Sequence, residues 1–345
     1  LTRLFVLLSH WKILGGLYLG WGVGANDSAN IFGTAVATNS IRFRTAVILI
    51  SVLAVIGSVV EGPALYNNVK FHGSEVQTSG AMALAATFAA GLAVMIVTIW
   101  GIPASTSQAA VGGMMGIAIF SSGFHAVDWG KLGKMGVCWL LTPIGGAFFG
   151  YLLYRLIERR IVRLIPNPQR RSRVIRWLLI LSGSYGAYTL GANNVVVTTV
   201  SYYQSGMFGE VVTEPYAFKT LFMNPIGWFT DPRVIAAAIG AASIALGALT
   251  YSKNVMETVG KKITVLDPLA ALISVLAHSL TLQIFTALHV PVSSSQAIVG
   301  GVIGVGLVKG ARTISKKELG RIFAGWIATP LSSALAAYLL ALLFC

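Results

Sequence analysis

Two cysteines, Cys138 and Cys345, are too few to frame a disulfide scaffold. Charge is also scarce: Asp, Glu, Lys and Arg make up 10% of the 345 residues, against about 25% in soluble domains. Acidic residues number only 11, so any carboxylate inside an apolar run needs a reason to be there. No glycine run leads into Gly-Lys-Ser or Gly-Lys-Thr, which argues against ATP-driven chemistry by this chain. No serine has the nearby His and carboxylate pattern of an acyl-transfer triad, and no enzyme is expected. Leu4 to Trp21 lacks a typical signal-peptide cleavage site.

What the chain has is apolar sequence. It is 55% hydrophobic, with mean hydropathy +0.76, and this places it in the membrane class. Its 38 glycines and 11 prolines are compatible with packed membrane helices. An all-α polytopic membrane protein is expected. Segments long enough to span are Thr45 to Tyr66, Thr78 to Trp100 and Gly136 to Ile157, then Trp177 to Ala192, Val234 to Tyr251, Leu269 to Leu288 and Ile322 to Phe344. The mixed stretch from Gln204 to Arg233 reads as surface loop with a short interfacial helix.

Net charge is +14, which in a soluble protein would suggest nucleic acid. Here the basic residues gather between apolar runs. Eight arginines and one glutamate lie between Arg155 and Arg176, and five basic residues and one glutamate between Lys309 and Arg321. Short basic loops face the cytoplasm, so topology explains the charge and no nucleic-acid partner is expected.

The chain repeats itself. Pro103-Ala-Ser-Thr-Ser-Gln108 recurs 188 residues later as Pro291-Val-Ser-Ser-Ser-Gln296, and Val111-Gly-Gly113 recurs as Val299-Gly-Gly301. Trp139-Leu-Leu-Thr-Pro143 recurs 187 residues later as Trp326-Ile-Ala-Thr-Pro330, and Gly24-Ala-Asn26 recurs 167 residues later as Gly191-Ala-Asn193. One order of polar elements kept twice signals duplication. The expected organisation is a first transmembrane repeat over 1–157, a basic cytoplasmic connector over 158–176 and a second repeat over 177–345. Placing both basic loops inside puts the poorly basic 121–134 loop outside, so the repeats are expected to be inverted. Inversion supports alternating access. Ala104 to Phe120 and Val292 to Val308 are short, each opening on a polar run after a proline. They read as re-entrant hairpins.

The polar clusters carry the chemistry. Asp27, in the stretch Gly24-Ala-Asn-Asp-Ser-Ala-Asn30, is costly between apolar helices unless paired or bound to a cation. A turn at Gly24 would free carbonyls to join Asn26 and Asp27 around Na⁺, with hydroxyls from Ser28 and Thr34. The plainer alternative makes Asn26 and Asp27 the cap of the following helix. Asn193 and Asn194 repeat the pattern without charge, suiting either a cation or an anion. The runs Ser105-Thr106-Ser107-Gln108 and Ser293-Ser294-Ser295-Gln296 suit an oxyanion if each opens a half-helix whose N–H groups and positive dipole end face it. Simple serine caps are the alternative. Glu61, inside an apolar segment, is expected to be buried and partnered or protonatable. Glu257 is expected in a solvated loop, and His278 and His289 are weak proton-relay candidates.

The duplicated Gly-Ala-Asn break, Gly24 to Thr38 and Gly191 to Val197, together with the two Pro-x-Ser-x-Ser-Gln segments, resembles the signature of the inorganic phosphate transporter family. The likeness covers nearly the whole chain. It implies a plasma-membrane symporter that imports inorganic phosphate by alternating access through inverted repeats with membrane-dipping hairpins. It also implies coupling to Na⁺ or H⁺, sulfate as cargo in some relatives, and a homodimer in some. On matching positions, Ser105 to Gln108 and Ser293 to Gln296 would surround phosphate, Asn26, Asp27, Asn193 and Asn194 would serve the ion, and Glu61 would be a coupling or gating residue. The family's second signature commonly ends in aspartate where this chain has Asn194, which lowers the negative charge available to cations. Neutral oxygens around one carboxylate favour Na⁺ as coupling ion, and no other cofactor is expected. The alternatives are H⁺-coupled phosphate or sulfate transport on the same scaffold and, in a different class, an anion channel.

Overall fold

The computed structural model describes residues 11–66, 79–287 and 292–344. Among the described residues every regular element is helical. A helix satisfies its own backbone without water, so long apolar runs take no other form in hydrocarbon. Helix α1 (Leu14–Asp27) passes through Ser28 into α2 (Ala29–Ala37). Then come α3 (Phe43–Val60), α4 (Gly80–Ile99), α5 (Thr106–Ser122) and α6 (Trp129–Leu164). Helix α7 (Pro168–Gln204) leads to two short pieces, α8 (Thr220–Met223) and α9 (Pro225–Phe229), inside the expected mixed stretch. The chain continues with α10 (Pro232–Tyr251), α11 (Lys253–Glu257), α12 (Pro268–Ala287), α13 (Ser294–Lys309) and α14 (Lys316–Phe344).

Six of these, α3, α4, α6, α10, α12 and α14, are long and apolar enough to cross a bilayer. The outer helices show why the chain belongs there. On α6, Leu140, Ile144 and Phe148 are exposed at four-residue intervals, and on α14 Ile327, Leu331 and Leu335 repeat the stripe. One helical face of large apolar side chains with no protein cover is costly in water and costs nothing against lipid.

Several expectations are corrected. The stretch 158–176 is helical except at Ile165–Asn167, because α6 and α7 both run into it. Asn167 caps α7 by accepting from the Gln169 and Arg170 backbone N–H groups, with Pro168 at the first helical position. The second Gly-Ala-Asn cluster is no break: Gly191 to Asn194 lie within unbroken α7. The first is only a jog, since Ser28 keeps helical angles of φ −60° and ψ −25° and its hydroxyl donates back to the Gly24 carbonyl.

The glycines of the two clusters serve close packing instead of turning. A Cβ on Gly24 would overlap the carbonyl of Ile244 on α10, and one on Gly191 would overlap that of Ala54 on α3. The same exchange recurs around the re-entrant segments. Gly112 of α5 lies against the Pro330 carbonyl of α14, and Gly300 of α13 against the Pro143 carbonyl of α6. Each contact maps onto its partner when the two parts of the chain are swapped. Such reciprocity is what two similar units related by a two-fold axis would give. Small residues at these crossings let the helix backbones approach closely.

Gly24→Ala and Gly191→Ala should each cost about 1–3 kcal/mol or more, through overlap with a facing backbone. Gly133 and Gly136 of α6 have open space around them, so alanine there should be neutral or stabilising. Thermal unfolding of the four variants in detergent checks this; equal melting temperatures throughout would contradict the packing described.

Candidate functional site

Asp27 ends α1 and is 2% exposed. The jog at Ser28 sends its carboxylate inward, where residues from four other helices meet it. Thr106 Oγ1, at the first position of α5, donates to Oδ2 at 2.7 Å. Asn194 Nδ2 of α7 donates to the same oxygen at 3.4 Å. Oδ1 faces Ser295 Oγ of α13 at 3.4 Å and Asn30 Nδ2 of α2 at 3.5 Å. The first contact is short and charge-assisted, and the others are at the limit of hydrogen-bond length. Asp27 takes part in none of the three ion pairs among the described residues. Its compensation comes from hydroxyls, amides and helix ends.

The two serine-glutamine runs build matching helix starts. Ser105 caps α5 by accepting from the Gln108 backbone N–H at 3.3 Å, and Ser293 caps α13 by accepting from that of Gln296 at the same distance. The capping alternative therefore holds for these two serines. It leaves other N–H groups of both first turns without an intrahelical partner, and the dipole at each of these ends favours negative charge. Asn30 joins the α13 start to the carboxylate, since its Nδ2 also donates to Ser294 Oγ at 2.7 Å and Ser295 Oγ at 3.0 Å. Ser295 Oγ in turn donates to the Ala104 carbonyl, tying α13 to the approach of α5.

That approach, from Gly101 to Ser105, is non-helical backbone, and side chains distant in sequence hold it. Gly101 takes φ +67°, which favours glycine. Asn26 Nδ2 donates to Thr98 Oγ1 at 2.8 Å and to the Ile102 carbonyl at 3.1 Å, while its Oδ1 accepts from the Ala104 N–H at 2.8 Å. Trp326 Nε1 of α14 donates to the Pro103 carbonyl at 3.0 Å. Neither Asn26 nor Asp27 caps α2, because no side-chain cap bond is made there.

The other candidates fall as follows. Ser107, Gln108 and Gln296 are buried, and both glutamine Oε1 atoms lack a partner among the described residues. The same is true of Asn30 Oδ1 and of Thr34 Oγ1, one turn further along α2. Asn193 is half-buried beside Asn194. Glu61 is corrected: α3 stops at Val60, so Glu61 is exposed at its end, beside the Tyr188 hydroxyl and outside the contacts of Asp27. Glu257 is exposed, His278 is fully buried with both ring nitrogens unpartnered among the described residues, and Pro291 and His289 lie outside the described residues. Asn30 is the central residue that the sequence reading did not nominate. Its signal was its place three residues after Asp27, on the same helical face.

The site thus offers oxyanion donors at two helix starts and, within one hydrogen-bonded cluster, oxygen acceptors around a single carboxylate. Comparison with known proteins agrees with such a pairing. The sequence pattern of the Phosphate transporter family matches residues 23–337. A Methanocaldococcus jannaschii protein provisionally named a phosphate permease is 29% identical over 329 residues, covering 95% of each chain. The Arabidopsis thaliana chloroplastic inorganic phosphate transporter 2-1 is 25% identical, covering 96% of this chain and 71% of that protein. A solved structure described as the sodium-dependent phosphate transporter superposes with TM-score 0.79 at 21% identity, covering 98% of both chains, and it shares the fold.

Asn26→Ala would strand the Ala104 N–H and the Ile102 carbonyl, while the Thr98 hydroxyl keeps its bond to the Val94 carbonyl. The expected cost is about 2–4 kcal/mol, seen as a lower melting temperature and faster hydrogen exchange at the Ala104 amide. Unchanged exchange there would show that Asn26 does not hold the turn.

Proposed function

The chain belongs to the phosphate transporter family, and from that premise we propose that it is a Na⁺-coupled symporter importing inorganic phosphate across the plasma membrane by alternating access. The observation that carries this reading is the meeting of two capped helix starts with one buried carboxylate, joined through Thr106, Asn30 and Ser295. Phosphate would lie against the first turns of α5 and α13, taking hydrogen bonds from the backbone and from Ser105 to Ser107 and Ser293 to Ser295. No permanent positive charge is needed, because the donors are prearranged and the dipoles aligned. Na⁺ would bind at Asp27 with neutral oxygens from Asn30, Thr34, Asn194 and nearby backbone, a hard-oxygen set suited to a hard cation.

The two unpartnered glutamine oxygens favour phosphate over sulfate. Gln108 Oε1 and Gln296 Oε1 are buried acceptors, and phosphate has one P–OH to give as the doubly charged ion and two as the singly charged one. Fully deprotonated sulfate has none and would leave them unsatisfied, which costs about 1–3 kcal/mol each. Reciprocal contacts such as Gly24 with Ile244 and Gly191 with Ala54 support inverted repeats as the rocking units.

The test is radiolabelled phosphate uptake into proteoliposomes under an imposed Na⁺ gradient or an imposed pH gradient. A Na⁺ gradient should drive accumulation, and a pH gradient alone should not. Excess sulfate should compete poorly. Asp27→Asn should abolish accumulation while the protein stays folded. Accumulation driven by protons alone would replace Na⁺ with H⁺, and current without a cation gradient would make the protein a channel.

A further inference from the structure

The two helix starts look alike, yet their first hydroxyls are spent differently. Thr106 opens α5 and Ser294 opens α13, at equivalent places in the two serine-glutamine runs. A hydroxyl has one proton to give. Thr106 gives its proton to Asp27 Oδ2 at 2.7 Å. Ser294 Oγ instead accepts from Asn30 Nδ2 at 2.7 Å, so that bond leaves its proton unspent. The difference traces to one position of the repeat. Asp27 corresponds to Asn194 at the spacing that aligns Gly24 with Gly191. A carboxylate only accepts, whereas the Asn194 amide itself donates to Asp27. The second half therefore has no carboxylate to claim the proton of Ser294.

We propose that Thr106 is the residue through which the bound cation is felt by the bound anion, a donor held by Asp27 until a cation neutralises that carboxylate, while Ser294 is an ungated donor to the same anion. This rests on the reading of Asp27 as the cation's carboxylate. A hydrogen bond to an ionised acceptor is about twice as strong as one to a neutral acceptor. A cation on Asp27 weakens that pull, and rotation of the Thr106 hydroxyl then returns its proton to the α5 helix start. The anion gains a donor only when the cation is bound, which is a coupling free energy between the two sites. The other contacts of Asp27 are poorer carriers. Ser295 has the Ala104 carbonyl as its closer acceptor, the Asn30 amide lies nearer Ser294 and Ser295 than Asp27, and the Asn194 amide carries two N–H donors, of which only one is given to Asp27.

The experiment measures equilibrium binding of radiolabelled phosphate to the purified chain in nanodiscs, in saturating Na⁺ and in Na⁺-free choline buffer. Binding of radiolabelled Na⁺ without phosphate is measured in parallel. Thr106→Val and Ser294→Ala remove matching hydroxyls, and each should weaken phosphate binding in Na⁺ about tenfold. They should differ in coupling. The ratio of phosphate affinities with and without Na⁺ should fall towards one in Thr106→Val and stay within about twofold of wild type in Ser294→Ala. Thr106→Val should bind Na⁺ alone no more weakly than wild type, and Thr106→Ser, which restores the hydroxyl, should restore the ratio. General damage would lower both affinities and would not single out the ratio. A wild-type ratio in Thr106→Val and in Thr106→Ala, or an equal loss of coupling in Ser294→Ala, would overturn the assignment. A wild-type protein whose phosphate binding ignores Na⁺ would overturn the Na⁺ reading itself, and the assignment with it.

Discussion

The Thr106 hydroxyl meets the Asp27 carboxylate at 2.7 Å, between helices that are otherwise apolar. A carboxylate in that setting costs several kcal/mol unless something compensates it, and much of the surrounding architecture supplies that compensation. Two helices begin inside the protein, with Ser105 and Ser293 buried, where their open N–H ends and dipoles are most useful. They can begin there only if the backbone leading to them is held, which is what Asn26 and Trp326 do for residues 102–104. The glycine contacts let the supporting helices close around the cluster. Each layer follows from the one inside it.

The arrangement is nearly symmetric in its scaffold and asymmetric in its chemistry. Scaffold contacts come in reciprocal pairs, Gly112 with Pro330 and Gly300 with Pro143. The serine caps also match, at 3.3 Å in both runs. The polar centre does not match, because Asp27 stands opposite Asn194. Duplication explains the shared frame. A single carboxylate explains how two similar helix starts acquire different duties, since only Thr106, and not Ser294, gives its first-position hydroxyl to it.

Much of this is legible in the amino-acid sequence, and the reasons are physical. Hydrocarbon permits few backbone forms, so apolar runs of adequate length read directly as helices. The serine-glutamine runs were legible as helix starts because a polar run after proline, kept twice in one order, has few other uses. What could not be read was local geometry. Gly191 suggests a turn, but whether a glycine turns the chain or admits a neighbour depends on what packs against it, here the Ala54 carbonyl. The run from Thr45 to Tyr66 reads as one span and would bury Glu61, yet α3 stops at Val60 and leaves it exposed. Asn30 was hidden because its importance lies in contacts with Ser294 and Ser295, more than 260 residues away. Periodicity along one helix carries no such information.

Under the proposed function, the amide at Asn194 also bears on charge. A doubly charged phosphate beside Asp27 places three negative charges in a space with no Lys or Arg among the described contacts of the carboxylate. Two helix ends offset roughly half a charge each. The remainder must come from bound cations or from protonation of the cargo. A second carboxylate at position 194 would add a fourth negative charge and demand a further cation, whereas an amide donor moves the balance the other way. On the proposed reading of the site, Asn194 suits the chain to carry phosphate with fewer accompanying cations, or in its singly charged form, than an aspartate at that position would. That saving follows from charge balance in a low-dielectric interior, where each uncompensated charge is far more expensive than in water.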